Sequence, residues 1–124
     1  MEFYRCKHCG NIIAYAENKG VQVFCCGEKM EKIEPNTVEA SLEKHVPEVA
    51  IDGVMVEVVV GSVLHPMTAE HNISWVAIET TQGRQRKMLS VDGEPKVHFA
   101  LCDGEKLQSV YAYCNLHGLW KKDF

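Results

Sequence analysis

No apolar run in the chain approaches the roughly 18 to 20 residues needed to cross a bilayer as a helix, so a membrane-spanning protein is not expected. The first residues, Met1-Glu2-Phe3-Tyr4-Arg5-Cys6, lack the apolar core of a signal peptide, which leads us to expect a cytoplasmic protein. Positive charge is scarce. Thirteen Lys and Arg face seventeen Asp and Glu, a net charge of −4, whereas nucleic-acid binders usually carry a basic excess. There is no internal repeat, no low-complexity tract and no amphipathic helical pattern of useful length. Six cysteines among 124 residues amount to about 5%, below the density of a disulfide scaffold. With 46% hydrophobic and 24% charged residues, the composition is that of a folded globular chain rather than a disordered one.

The cysteines that are present are clustered. Cys6, Cys9, Cys25 and Cys26 all fall in the first 26 residues. In a reducing compartment such clusters are metal ligands or redox groups more often than bridges. A head of residues 1–36, closed by the linker Glu34-Pro35-Asn36-Thr37, is too short to bury a sufficient core without a metal or a cross-link. Four thiolates suit a tetrahedral zinc or iron site, and metal binding would add folding free energy. The adjacent pair Cys25-Cys26 departs from the C-x-x-C of zinc ribbons and rubredoxins, so a distorted tetrahedron is expected. A thioredoxin-type redox C-x-x-C would open a helix after a strand, and Cys6-Lys7-His8-Cys9 lacks that context. His8 reads as a surface residue.

Residues 37–124 read as short strands between turns. Val54–Val60 is the clearest, rich in β-branched residues. Ile73–Glu79, Arg86–Val91, Lys96–Leu101 and Ser109–Tyr113 follow. Turn signals about every ten residues predict an all-β sandwich. Five further candidate ligands lie in this part: His45, His65, His71, Cys114 and His117. Cys114 and His117 are spaced to share one tight turn. The others are spread, and a lone histidine is as readily a hydrogen-bonded structural residue, so spacing alone leaves open whether they share a metal. His98, within a strand pattern, reads as structural, and Cys102 as a buried free thiol. Trp75, Trp120, Tyr111 and Tyr113 read as core or dimer contacts.

Taken in order along the chain, five motifs resemble one family. They are the C-x-x-C with the adjacent Cys25-Cys26, Glu43-Lys44-His45-Val46-Pro47, Gly61-Ser62-Val63-Leu64-His65-Pro66-Met67, His71, and Cys114-Asn115-Leu116-His117-Gly118-Leu119-Trp120. The chain is similar over essentially its full length to the desulfoferrodoxins, the two-iron class of superoxide reductase. The resemblance implies a small desulforedoxin-like head on an immunoglobulin-like sandwich, in a homodimer. It implies two irons per chain, with zinc able to replace the first. Cys6, Cys9, Cys25 and Cys26 would hold the head iron. His45, His65, His71 and His117 in a plane, with Cys114 as axial ligand, would hold the catalytic one. Superoxide would be reduced to hydrogen peroxide without dioxygen, and an external donor such as rubredoxin would restore the iron. Glu43 would occupy the sixth position of the resting ferric iron, and Lys44 would steer superoxide toward it. Two other functions fit the same residues less fully: a non-catalytic iron electron carrier, and a colourless zinc-ribbon interaction module.

Overall fold

β-Branched runs broken by glycine turns set this architecture. The computed structural model describes residues 1–124, and they divide into two units, Met1–Glu34 and Pro35–Phe124. In the first unit, β1 (Phe3–Arg5), β2 (Ile12–Ala14) and β5 (Glu31–Lys32) form an antiparallel sheet in the order β2-β1-β5. β3 (Phe24–Cys25) and β4 (Glu28–Lys29) form a hairpin. Its buried apolar side chains are Phe3, Cys6 and Met30, too few to hold a fold of this size by burial alone.

The second unit contains seven strands and one helical turn. α1 (Leu42–His45) precedes β6 (Pro47–Asp52) and β7 (Met55–Val60). β8 (Ile73–Thr80), β9 (Gly83–Met88), β10 (Lys96–Ala100), β11 (Leu107–Cys114) and β12 (Gly118–Asp123) follow. One sheet has the order β10-β7-β6, the other β12-β11-β8-β9, and all pairings are antiparallel. The result is the expected all-β immunoglobulin-like sandwich. Alternation along β7 turns Val56, Val58 and Val60 inward, where they pack with Phe99, Val76, Ile78, Val110 and Ala112. Outward Glu57 instead pairs with His98 and Lys96, so His98 is a structural surface residue. On the four-stranded sheet, Trp75 lies opposite Tyr113 and stacks on it at 5.4 Å and 7°.

The edges of the two sheets meet through side chains. Gln85 and Lys87 of β9 donate to the Ala100 and His98 carbonyls of β10. That satisfies edge acceptors that would otherwise invite another strand. The sequence pattern differs from the structure in several places. β9 begins at Gly83 rather than Arg86 and stops at Met88, because Thr81-Gln82 alone make the turn that sets Gly83 opposite Thr80. β6 and β12 carry no strong alternation. β6 is largely exposed, and Pro47 at its start ends α1, since a residue before proline is pushed out of the helical region. Cys102 is exposed rather than buried. Leu101 takes the core position, leaving Cys102 in a turn where its N–H donates to Glu105 Oε1.

Gly61 ties this scaffold to the α1 segment. It has φ +89°, and a Cβ there would lie 2.3 Å from the Val63 carbonyl oxygen and 2.8 Å from those of Glu43 and Lys44. Backbone must move to admit it. Gly61→Ala is expected to cost more than about 1 kcal/mol in denaturant unfolding, and to disturb the 43–45 segment. An unchanged midpoint would show that the segment yields freely.

Candidate metal centres

The head brings its four cysteines together by turn chemistry. The Cys6 carbonyl accepts the Gly10 N–H at 2.9 Å, which closes the C-x-x-C turn. Cys26 and Gly27 both adopt left-handed φ, 53° and 77°, between paired Cys25 and Glu28. This is the two-residue hairpin turn that needs positive φ at both positions. Gly27 takes it without penalty, whereas Cys26 takes it at some strain. That turn is how two adjacent cysteines face one centre. The four sulfurs lie within 4.8 Å of one another, with Cys9–Cys25 at 3.6 Å and Cys25–Cys26 at 4.0 Å. Four thiolates about 2.3 Å from one ion stand roughly 3.8 Å apart in a tetrahedron, so the observed spacings fit. N–H groups hold Cys6 down to about 6, chiefly that of Cys9. Contacts with Cys9, Cys6 and Cys25 push Cys26 up to about 12. All four thiols cannot ionise together without a cation between them. His8 lies on the surface, paired with Glu28.

In the second unit, three separate segments converge. α1 supplies His45, the loop between β7 and β8 supplies His65 and His71, and the β11–β12 turn supplies Cys114 and His117. The four imidazoles form a closed ring in the order 45, 65, 71, 117. Successive centroid distances are 4.7, 4.6, 5.1 and 4.9 Å, and His45–His71 across the ring is 6.4 Å. Neighbouring rings stand nearly perpendicular, at 73° to 86°. The ligand atoms of His45, His65, His71 and Cys114 lie within 4.8 Å of one another. His117 Nδ1 is 3.1 Å from His45 Nε2 and 3.8 Å from Cys114 Sγ.

Two carbonyls fix which nitrogen faces the centre. His45 Nδ1–H donates to Ser41 O at 2.6 Å, and His65 Nδ1–H donates to Pro66 O at 2.7 Å. Each leaves its Nε2 lone pair pointing inward. His65 Nε2 and His71 Nε2 are buried with no hydrogen-bond partner, which is costly unless a cation accepts their lone pairs. Burial lowers the pKa of His45, His65 and His71, for His65 to about 4. They are therefore neutral ligands near pH 7. Burial also raises the Cys114 thiol, against the N–H groups of Leu116 and His117, which favour its thiolate; the His117 N–H lies 3.4 Å from Sγ. An ion bound here fits the donor set.

Lys44 and Glu43 are exposed. The Lys44 charge reaches His45 and His71, where it further disfavours the imidazolium. The Glu43 carbonyl accepts from Val63 N–H at 3.0 Å and Ser62 O–H at 3.2 Å, so the loop bearing His65 holds the Glu43-Lys44 backbone. Trp120, fully buried, stacks on His45 at 4.8 Å and donates its indole N–H to His117 O. The residue motifs do not expose these supports. Ser41 and Pro66 act through backbone carbonyls, for which a sequence carries no side-chain signal.

Because burial holds the Cys114 thiol protonated near neutrality, ferrous iron must displace its proton. Calorimetry in buffers of different ionisation enthalpy should find that the wild type releases about one proton more than Cys114→Ala at pH 7. No difference would mean that Cys114 is already a thiolate in the metal-free chain.

Comparison with known proteins matches the desulfoferrodoxin family model to residues 37–123 and the desulfoferrodoxin N-terminal domain model to residues 1–33. A desulfoferrodoxin homolog of Archaeoglobus fulgidus is 40% identical over 121 residues, covering 98% of this chain and 95% of that protein. The desulfoferrodoxin of Nitratidesulfovibrio vulgaris is 37% identical, covering 98% and 95%. Among solved structures, the superoxide reductase of Treponema pallidum superposes with a TM-score of 0.84 at 40% identity, covering 98% of both chains. The one-iron superoxide reductase of Giardia intestinalis has a TM-score of 0.57 at 35% identity, and matches 66% of this chain but 97% of its own. With a four-cysteine cluster and a four-histidine, one-cysteine cluster that fit two iron centres, the chain belongs to the desulfoferrodoxin family.

Proposed function

We propose that this chain is a superoxide reductase whose reaction takes place at the four-histidine, one-cysteine cluster. The observation that carries the reading is the pair of buried, unpartnered Nε2 atoms of His65 and His71 inside a closed ring of four imidazoles. Iron bound there supplies the electron: superoxide gains one electron and two protons to become hydrogen peroxide, and no dioxygen forms. His45, His65 and His71 would hold the ion through Nε2, His117 through Nδ1 and Cys114 through its thiolate sulfur. Neutral imidazoles leave the metal's positive charge largely uncancelled, which attracts an anion. The N–H groups of Leu116 and His117 moderate electron donation from Cys114.

Lys44 steers superoxide inward. An ammonium on a flexible stem suits that task, and support comes from its charge being felt at His45 and His71. Glu43, exposed on the turn that carries His45, would serve as a displaceable carboxylate cap on the ion. Cys6, Cys9, Cys25 and Cys26 would hold the second iron, which would supply an accessory one-electron relay. A small external donor of the rubredoxin kind returns the electron after each turnover. The protein works as a homodimer in the cytoplasm. No helix is long and apolar enough to cross a membrane.

Mixing the reduced protein with pulse-generated superoxide tests the activity. One peroxide per ferrous catalytic site, without dioxygen, is expected. Dioxygen evolution, or superoxide left unreacted, would overturn it. Lys44→Ala should slow the second-order step about tenfold at low ionic strength and flatten its salt dependence. Glu43→Ala should change the ferric spectrum while leaving that step intact, and loss of most of the rate would remove Glu43 from the role of a displaceable cap.

A further inference from the structure

His71 is held differently from His45 and His65. Those two rings are oriented by carbonyls on Nδ1, whereas the hydrogen bonds of His71 are made by its backbone. Its N–H donates to Thr68 Oγ1 at 3.0 Å, and its carbonyl accepts from the Thr68 N–H at 2.9 Å and the Thr68 hydroxyl at 3.2 Å. The orientation of its ring therefore depends on where the loop 68–72 sits.

Beside the β8–β11 pairing of Ile73 with Cys114, that loop is fastened to the turn carrying Cys114 and His117 by one residue, Asn115. Asn115 Oδ1 accepts the Asn72 N–H at 2.9 Å, and Asn115 Nδ2 donates to the Glu70 carbonyl at 2.9 Å. The Asn115 backbone N–H donates to the Asn72 carbonyl at 3.2 Å. Asn72 is buried, and its own amide closes the loop by donating to Thr68 O at 2.9 Å and Ala69 O at 3.4 Å. Asn72 Oδ1 accepts the Ser74 hydroxyl. Glu70 and Asn72 flank His71, and Asn115 grips both.

We propose that Asn115 is a positioning residue for His71: it latches the His71 loop to the Cys114–His117 turn, fixing the distance between ligands from separate segments. The proposal rests on the reading of His71 as an iron ligand. A planar amide suits the task because it offers an acceptor to one flank and a donor to the other. An aspartate keeps the first contact and loses the second.

Four full-length variants test this: Asn115→Ala, Asn115→Asp, His71→Gln and Asn36→Ala. Asn36 supplies the control, because it makes the same two-way side-chain contact with the Lys121 backbone in the same unit, at 2.8 and 3.2 Å. Asn115→Ala should release iron from the histidine site to a chelator about tenfold faster, as expected when a ligand's support is lost. It should move the thiolate-to-iron absorption band in the direction that His71→Gln moves it, and should speed amide exchange at Asn72 in the metal-free chain. Asn115→Asp should move the band the same way by less, and carries the test alone if the alanine variant does not fold. Asn36→Ala should lower thermal stability with band and release rate unchanged. A folded Asn115→Asp or Asn115→Ala with wild-type band and release rate overturns the latch while His71→Gln still moves the band. A silent His71→Gln overturns both the latch and the ligand reading beneath it.

Discussion

Two imidazole nitrogens buried without a proton to accept place the strongest demand on this structure. A lone pair removed from water and given no donor is a standing cost, and His65 and His71 each carry one into the same small space. Protonation does not relieve it, because burial disfavours the imidazolium at both positions. A cation does, and the adjoining Cys114 sulfur, crossed by two N–H groups, supplies a charge to hold it. The rest of the second unit serves to bring those atoms together and keep them pointed inward.

The sandwich does so with segments at one end of its strands. β7 ends at Val60 and β8 begins at Ile73, so the loop between them carries His65 and His71. β11 ends at Cys114, and the turn to β12 carries His117. Pairing of β8 with β11 fixes these two segments, with Cys114 opposite Ile73 across a register shift. His45 comes from the one-turn α1, which Gly61 admits to close contact because it has no side chain. Strands packed around Val56, Val58, Phe99 and Val110 are rigid, so loops anchored at their ends inherit that rigidity.

Much of this was legible in the residues. The β-branched run Val54–Val60 marks β7, and four clustered cysteines mark a metal-stabilised head before any geometry is known. The family motifs carry the ligand residues by resemblance. Other features leave no trace of that kind. β6 is an exposed edge whose mixed residues show no inward face. Ser41 and Pro66 work through carbonyls, which every residue possesses. Cys25-Cys26 promises strain without revealing its form, and the structure resolves it as a tight turn with Cys26 in the left-handed region. Cys102 follows a strand pattern into a predicted interior, yet the strand stops at Ala100 and the pattern stops with it.

The two centres differ most in the charge that their ligand sets would give a bound iron. Four thiolates around ferric iron would leave a net negative cluster, which offers an anion no attraction. Four neutral imidazoles and one thiolate leave the iron positive in either oxidation state, which draws an anion in. Burial enforces the second case by keeping His45, His65 and His71 uncharged, and the nearby Lys44 charge further disfavours the imidazolium at His45 and His71. Ligand choice thus sorts the chemistry before any substrate contact is made. A cysteine in place of one histidine would cancel one positive charge and, with it, much of the attraction that brings superoxide to the metal.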